Sequence, residues 1–143
     1  MNAPQLALIG LRGLPIIQPG DDLAALISDA IGADGLTLRE GDVLAVTSKI
    51  ISKAEGRFEK LAAVIPGDEA LRLAAVTGKD PRIVELVLRE SVAVVRCAPN
   101  VLVVRHRLGF VSASAGIDQS NVDGGEGTVL LLPLDPDESA RRL

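Results

Sequence analysis

A chain of 143 residues, 48% of them hydrophobic, is long enough for one domain with a sizeable core, and two Phe without Tyr or Trp make that core aliphatic. A net charge of −4 and the scarcity of aromatic platforms argue against a nucleic-acid partner. The single cysteine, Cys97, rules out an intrachain disulfide, and with the single histidine, His106, it leaves too few ligands for a zinc site.

Gln5 to Gly10 reads as a buried strand, and the Pro- and Gly-rich stretch Leu11 to Gly20 as a loop. A helix follows, capped by Asp21 or Asp22, with Leu23, Leu26, Ile27 and Ala30 on its apolar face and Gly32 and Gly35 at its end. Asp42 to Thr47 is nearly all apolar and predicts a central strand, with a Ser-Lys cluster at its exit. Ala70 to Ala75 predicts a short helix that stops at Gly78, and Asp80-Pro81 opens another, with Asp80 as N-cap and Pro81 at the first helical position. Val92–Arg96 and Val101–Arg105, separated by Ala98-Pro99-Asn100, form a β-hairpin pattern. His106, between two arginines, is expected at a strand-end surface position, and Cys97 in core packing. Thr128 to Leu132 reads as a strand, Asp123 to Gly127 as a flexible loop before it, and Asp135-Pro136 as a helix start with acids in the first turn. The expected fold is a single α/β (α+β) domain with a mixed, largely antiparallel sheet and flanking helices.

Two polar clusters interrupt this apolar chain. Thr47 to Lys53 supplies two ammonium groups, Lys49 and Lys53, four apart as on one helical face, with Thr47, Ser48 and Ser52 able to hydrogen-bond phosphate oxygens. The run lacks the Gly-x-x-x-x-Gly-Lys-Ser/Thr pattern of a phosphate nest, so a solvated surface remains the alternative. Ser112 to Asn121 places small residues and Gly116 before Asp118 and Asn121, whose oxygens suit a hard cation such as magnesium or manganese. Asp and Asn beside glycine are also ordinary turn residues. No basic-then-apolar leader opens the sequence and no apolar run approaches the roughly 18 residues of a membrane span, so a cytoplasmic protein without a membrane partner is expected.

Taken in order, Gly13-Leu14-Pro15-Ile16, Gly41-Asp42-Val43-Leu44, Thr47 to Arg57, Lys79-Asp80-Pro81-Arg82, Arg89-Glu90-Ser91, Gly109-Phe110-Val111, Ala115 to Val122 and Leu132 to Asp137 resemble the coenzyme F420:L-glutamate ligase family, the F420-0:γ-glutamyl ligases. The resemblance spans essentially the whole chain. It implies a GTP-dependent ligase that adds L-glutamate to the deazaflavin coenzyme F420-0 through an acyl phosphate, with Mg2+ or Mn2+ and aided by K+. By the same resemblance Leu14, Pro15, Ile16, Ile17, Ser48, Lys49 and Lys53 line the nucleotide, Asn121 touches the GTP, Asp118 ligates the metal, and the protein is a homodimer. Family members continue past the Asp-Pro-Asp helix into a segment that completes the metal site. The 143 residues are therefore expected to be the N-terminal part of a larger ligase fold, truncated at the C-terminus and with little turnover alone. The alternative is a nucleotide- and metal-binding or scaffold protein without chemistry.

Overall fold

A computed structural model describes residues 6–120, 125 and 127–143. Asn121 and most of the loop expected over Asp123 to Gly127 lie outside the described residues.

Local signals set the helices. Helix α1 (Leu23–Ala33) starts where the Asp22 carboxylate accepts the Ala25 N–H and buries Leu23, Ile27 and Ala30. Helix α2 (Ser48–Ala54) follows an extended Thr47 and buries Ile51 and Ser52. Helix α3 (Asp68–Thr77) ends on Gly78 in the left-handed conformation, and α4 (Pro81–Arg89) opens with Asp80 accepting the Arg82 N–H and Pro81 in the first turn. Helix α5 (Pro136–Arg142), capped by Asp135, carries Asp137 and Glu138 in its first turn and buries no residue. Helices α1, α3, α4 and α5 fall where caps and periodicity put them, whereas α2, which has no side-chain cap, forms where only a polar cluster at a strand exit was expected.

Two antiparallel sheets complete the α+β fold. Strand β1 (Phe58–Lys60) pairs with β5 (Thr128–Leu130), and β2 (Ser91–Ala98), β3 (Val101–His106) and β4 (Val111–Ala113) form a three-stranded sheet with β3 in the middle. The β2–β3 turn uses Asn100 at φ 61°, a left-handed position that Asn tolerates. Pairing is antiparallel throughout the described strands, as expected, but divided between two sheets. The main core joins α3, α4, β3 and β5 through Leu73, Val84, Leu86, Leu102, Val104 and Val129. Cys97 packs against it, half-buried. A second cluster joins Ile17, Leu23, Ile27 and Ile51.

The two strands expected over Gln5–Gly10 and Asp42–Thr47 are not formed over the described residues. Leu8 is 90% and Val43 89% exposed, and neither run pairs in a ladder among the described residues. Apolar and β-branched residues favour extended backbone, but a strand also needs a neighbour to satisfy its ladder. The two runs instead line one cavity of about 620 Å³ with Leu14, Ile27 and Ile50. His106, expected at the surface, is fully buried.

Candidate functional site

Burial of Ile51 and Ser52 fixes the rotation of α2 and so directs Lys49 toward the segment between β4 and β5. There the chain makes a 3-10 turn, Ser114–Gly116, with three successive positive φ angles of 47°, 53° and 68°. Gly116 answers an internal demand, because a Cβ there would lie 2.9 Å from Leu132 Cδ1. Asp118 is then pinned to β5 by two backbone hydrogen bonds with Leu130, each 2.9 Å.

The two clusters meet. Lys49 Nζ lies 2.9 Å from Asp118 Oδ2 and donates to the Ser120 carbonyl at 2.7 Å. Asp118 Oδ1 accepts the Ser120 N–H at 2.8 Å and its hydroxyl at 2.7 Å. Burial pushes the Asp118 pKa up, but the Lys49 ammonium, the Ser120 N–H and the Ser120 hydroxyl outweigh it and hold the pKa at about 2. The carboxylate is therefore ionised at neutral pH. Lys49 and Asp118 open on a cavity of about 360 Å³ that Ser48, Ser52, Gly116 and Leu132 help to line.

For a divalent ion, the described residues offer one carboxylate, and no group of three or more His, Cys, Asp or Glu side chains converges among them. That donor set fits an ion that keeps its waters and takes further ligands from phosphate, as magnesium does, and does not fit an all-protein cage. Ser48 and Lys49 thus share a cavity with Asp118. Lys53 lies one turn further along α2, in the last turn, where a positive charge complements the helix dipole. Leu14 to Ile17 reach α2 elsewhere: Ile17 is buried against Leu23, Ile27 and Ile51, Leu14 faces the cavity beside Ile50, and Ile16 is exposed. None of the four lines the Lys49–Asp118 cavity.

A second polar cluster, centred on Glu90, escaped the sequence reading. The buried Glu90 carboxylate accepts from Arg57 at 3.0 and 3.1 Å and from Arg107 Nε at 3.1 Å, and lies 3.6 Å from His106 Nε2. The two arginines also hold the chain after β5: Arg57 Nε donates to the Leu132 carbonyl, and Arg107 to the Pro133 and Leu134 carbonyls. Glu90 thereby fixes Leu132, a wall of the Lys49–Asp118 cavity. The His106 ring stacks on Phe110 with centroids 4.8 Å apart, and its Nδ1 accepts the Leu108 N–H. Burial lowers the His106 pKa, the Glu90 charge opposes this, and the Arg107 and Arg57 charges reinforce it. A sequence signal did exist, since Arg57 and Glu90 both stand inside the stretches that carry the family resemblance.

Residues 12–143 match the sequence profile described as F420-0:Gamma-glutamyl ligase, and the chain belongs to that family. Its relatives are named as ligases. It is 45% identical over 138 residues to the coenzyme F420:L-glutamate ligase of Methanothermobacter thermautotrophicus, an alignment covering 96% of this chain and 54% of the relative. It is 47% identical over 133 residues to the corresponding ligase of Archaeoglobus fulgidus, covering 93% and 50%. The chain thus spans about half the length of these relatives. Among the described residues, no helix is long and apolar enough to cross a membrane.

Proposed function

We propose that this chain carries the phosphate- and metal-handling part of a GTP-dependent ligase that adds L-glutamate to coenzyme F420-0. The observation that supports this most strongly is the 2.9 Å approach of Lys49 to Asp118 in one cavity, in a chain whose relatives are named coenzyme F420:L-glutamate ligases. Phosphoryl transfer needs mainly positioning and neutralisation of negative charge, and an ammonium beside an ionised carboxylate suits both tasks.

In this reading an oxygen of the F420-0 carboxylate attacks the γ-phosphorus of GTP, the bond to the departing GDP breaks, and an acyl phosphate forms. The amine of glutamate then attacks the acyl carbon, phosphate leaves with the bonding pair, and an amide results once the nitrogen gives up a proton. Lys49 neutralises phosphate oxygens, with Ser48 beside it on the same helix. Asp118 holds Mg2+ or Mn2+, which when bound offsets the charge on the transferring phosphate. Lys49 must exchange its contact with Asp118 for one with phosphate when the ion enters, so the pair acts as a switchable unit. Lys53 and Asn121 extend the nucleotide contacts, and the working form is a homodimer.

Calorimetric titration of the chain with GTP and Mn2+ tests the reading. Binding that requires Mn2+ and is lost in Asp118→Asn supports it; heat unchanged by that substitution refutes the metal role of Asp118.

A further inference from the structure

Arg57 does not line the Lys49–Asp118 cavity, yet it is hydrogen-bonded to three residues that do, Ser52, Leu131 and Leu132. Helix α2 ends on Gly56 at φ 66°, where the Gly56 N–H returns to the Lys53 carbonyl and the Arg57 N–H to the Ser52 carbonyl, each at 2.9 Å. That pair of bonds is a Schellman closure, which ties the residue after the turn to the last turn of the helix. The Arg57 carbonyl then accepts the Leu131 N–H at 3.0 Å, and its Nε donates to the Leu132 carbonyl at 2.9 Å. One residue thus carries the helix of Lys49 on one side and the end of β5 on the other.

From the end of β5 the connection reaches Asp118 by two routes. Leu130, next to Leu131, exchanges two backbone hydrogen bonds with Asp118, and the Leu132 side chain packs over Gly116, two positions before Asp118. The ring closes through the ion pair of Asp118 with Lys49. Within it the Arg57 guanidinium spans two acceptors from separate N–H groups, Nε on the Leu132 carbonyl and the terminal nitrogen on both Glu90 oxygens. Arg107 shares the Glu90 carboxylate, but its other bonds go to the Pro133 and Leu134 carbonyls, which belong to neither wall of this cavity.

We infer that Arg57 is a positioning residue that sets the separation of Lys49 and Asp118 by clamping α2 to the end of β5, with Glu90 aiming its guanidinium. The inference deepens the proposed function and rests on its reading of Lys49 and Asp118 as one phosphate and metal site. Such a site tolerates little slack, since a misplacement of about 1 Å can cost about a hundredfold in rate.

Arg57→Gln, Arg57→Lys and Arg107→Gln form the test, each measured for melting temperature, for residue-resolved amide hydrogen exchange by NMR, and for GDP–Mn2+ affinity by calorimetry. Arg57→Lys keeps a charge beside Glu90 and so remains a folded probe if Arg57→Gln is too unstable, but it has no second rigidly set N–H for the Leu132 carbonyl. In both Arg57 variants the Asp118 and Leu130 amides should lose at least about tenfold more protection than the amides of β3, and GDP–Mn2+ should bind at least about tenfold more weakly. Arg107→Gln should lower the melting temperature comparably, with exchange at Asp118 and Leu130 rising only in step with β3 and affinity within about twofold of the wild type. Exchange at Asp118 and Leu130 that follows β3 in both Arg57 variants overturns the inference, and wild-type binding of GDP–Mn2+ then leaves the phosphate reading intact. An equal local loosening in Arg107→Gln also overturns it, because any support of the segment after β5 would then serve. Local loosening confined to the Arg57 variants, in a protein whose wild type binds no GDP–Mn2+, supports the clamp and overturns the phosphate reading alone.

Discussion

Replacing Glu90 with Gln removes a charge from the centre of the cluster while keeping the side chain's shape. The carboxylate accepts from Arg57 at 3.0 and 3.1 Å and from Arg107 at 3.1 Å. Breaking one partner of a buried ion pair costs about 3–5 kcal/mol when nothing relieves the charges left behind. Here the Arg57 and Arg107 side chains remain 20% and 26% exposed and keep their bonds to the carbonyls of 132–134, so water and those carbonyls recover part of the loss. The expected cost is ~2–3 kcal/mol, which for a domain of this size is a fall in melting temperature on the order of 10 °C. Urea and thermal unfolding followed by circular dichroism measure it. Glu69→Gln serves as the control, since its partner Arg72 is one turn away on an exposed face, and it should leave the melting curve unmoved. A Glu90→Gln variant within about 0.5 kcal/mol of the wild type would refute the view that this cluster holds the segment after β5.

Gly116→Ala places a Cβ 2.9 Å from Leu132 in a backbone at φ 68°, and urea unfolding should show a loss of ~2 kcal/mol, with wild-type stability counting against the close approach. Because the His106 pKa is lowered on folding, the unfolded chain takes up that proton first as pH falls. Stability contributed by neutral His106 is present above about pH 6.5 and is lost as pH falls through the folded pKa, so His106→Gln should flatten the stability profile just below pH 6.5, and an unchanged slope would contradict it.

Features written into a few consecutive residues were legible before the fold was seen. Asp22 and Asp80 cap helices, Gly78 ends one, and Pro99-Asn100 turns the hairpin, each through contacts within a few positions. The runs 6–10 and 42–47 misled because their apolar residues state a preference for extended backbone but not a pairing partner. His106 was misread because its flanking arginines look like solvent-facing residues, whereas Arg107 folds back onto Glu90, 17 positions away in the chain. Glu90 itself was invisible as a centre, since Arg57 reaches it across 33 positions. Lys49 and Asp118 were expected to serve one phosphate and metal site, and what the sequence could not supply was the direct contact between them, which depends on the bridge between Asp118 and Leu130. The need for glycine at 116 was also hidden, since the side chain it accommodates, Leu132, lies 16 positions further along the chain.

A double-mutant cycle on GDP–Mn2+ affinity, with Lys49→Met, Asp118→Asn and both together, bears most directly on whether these side chains serve one site. Side chains 2.9 Å apart that act on the same bound phosphate and ion should couple, so each single change should weaken binding at least tenfold and the pair much less than the product of the two. Effects that simply multiply, or affinities that do not move, would contradict a shared site.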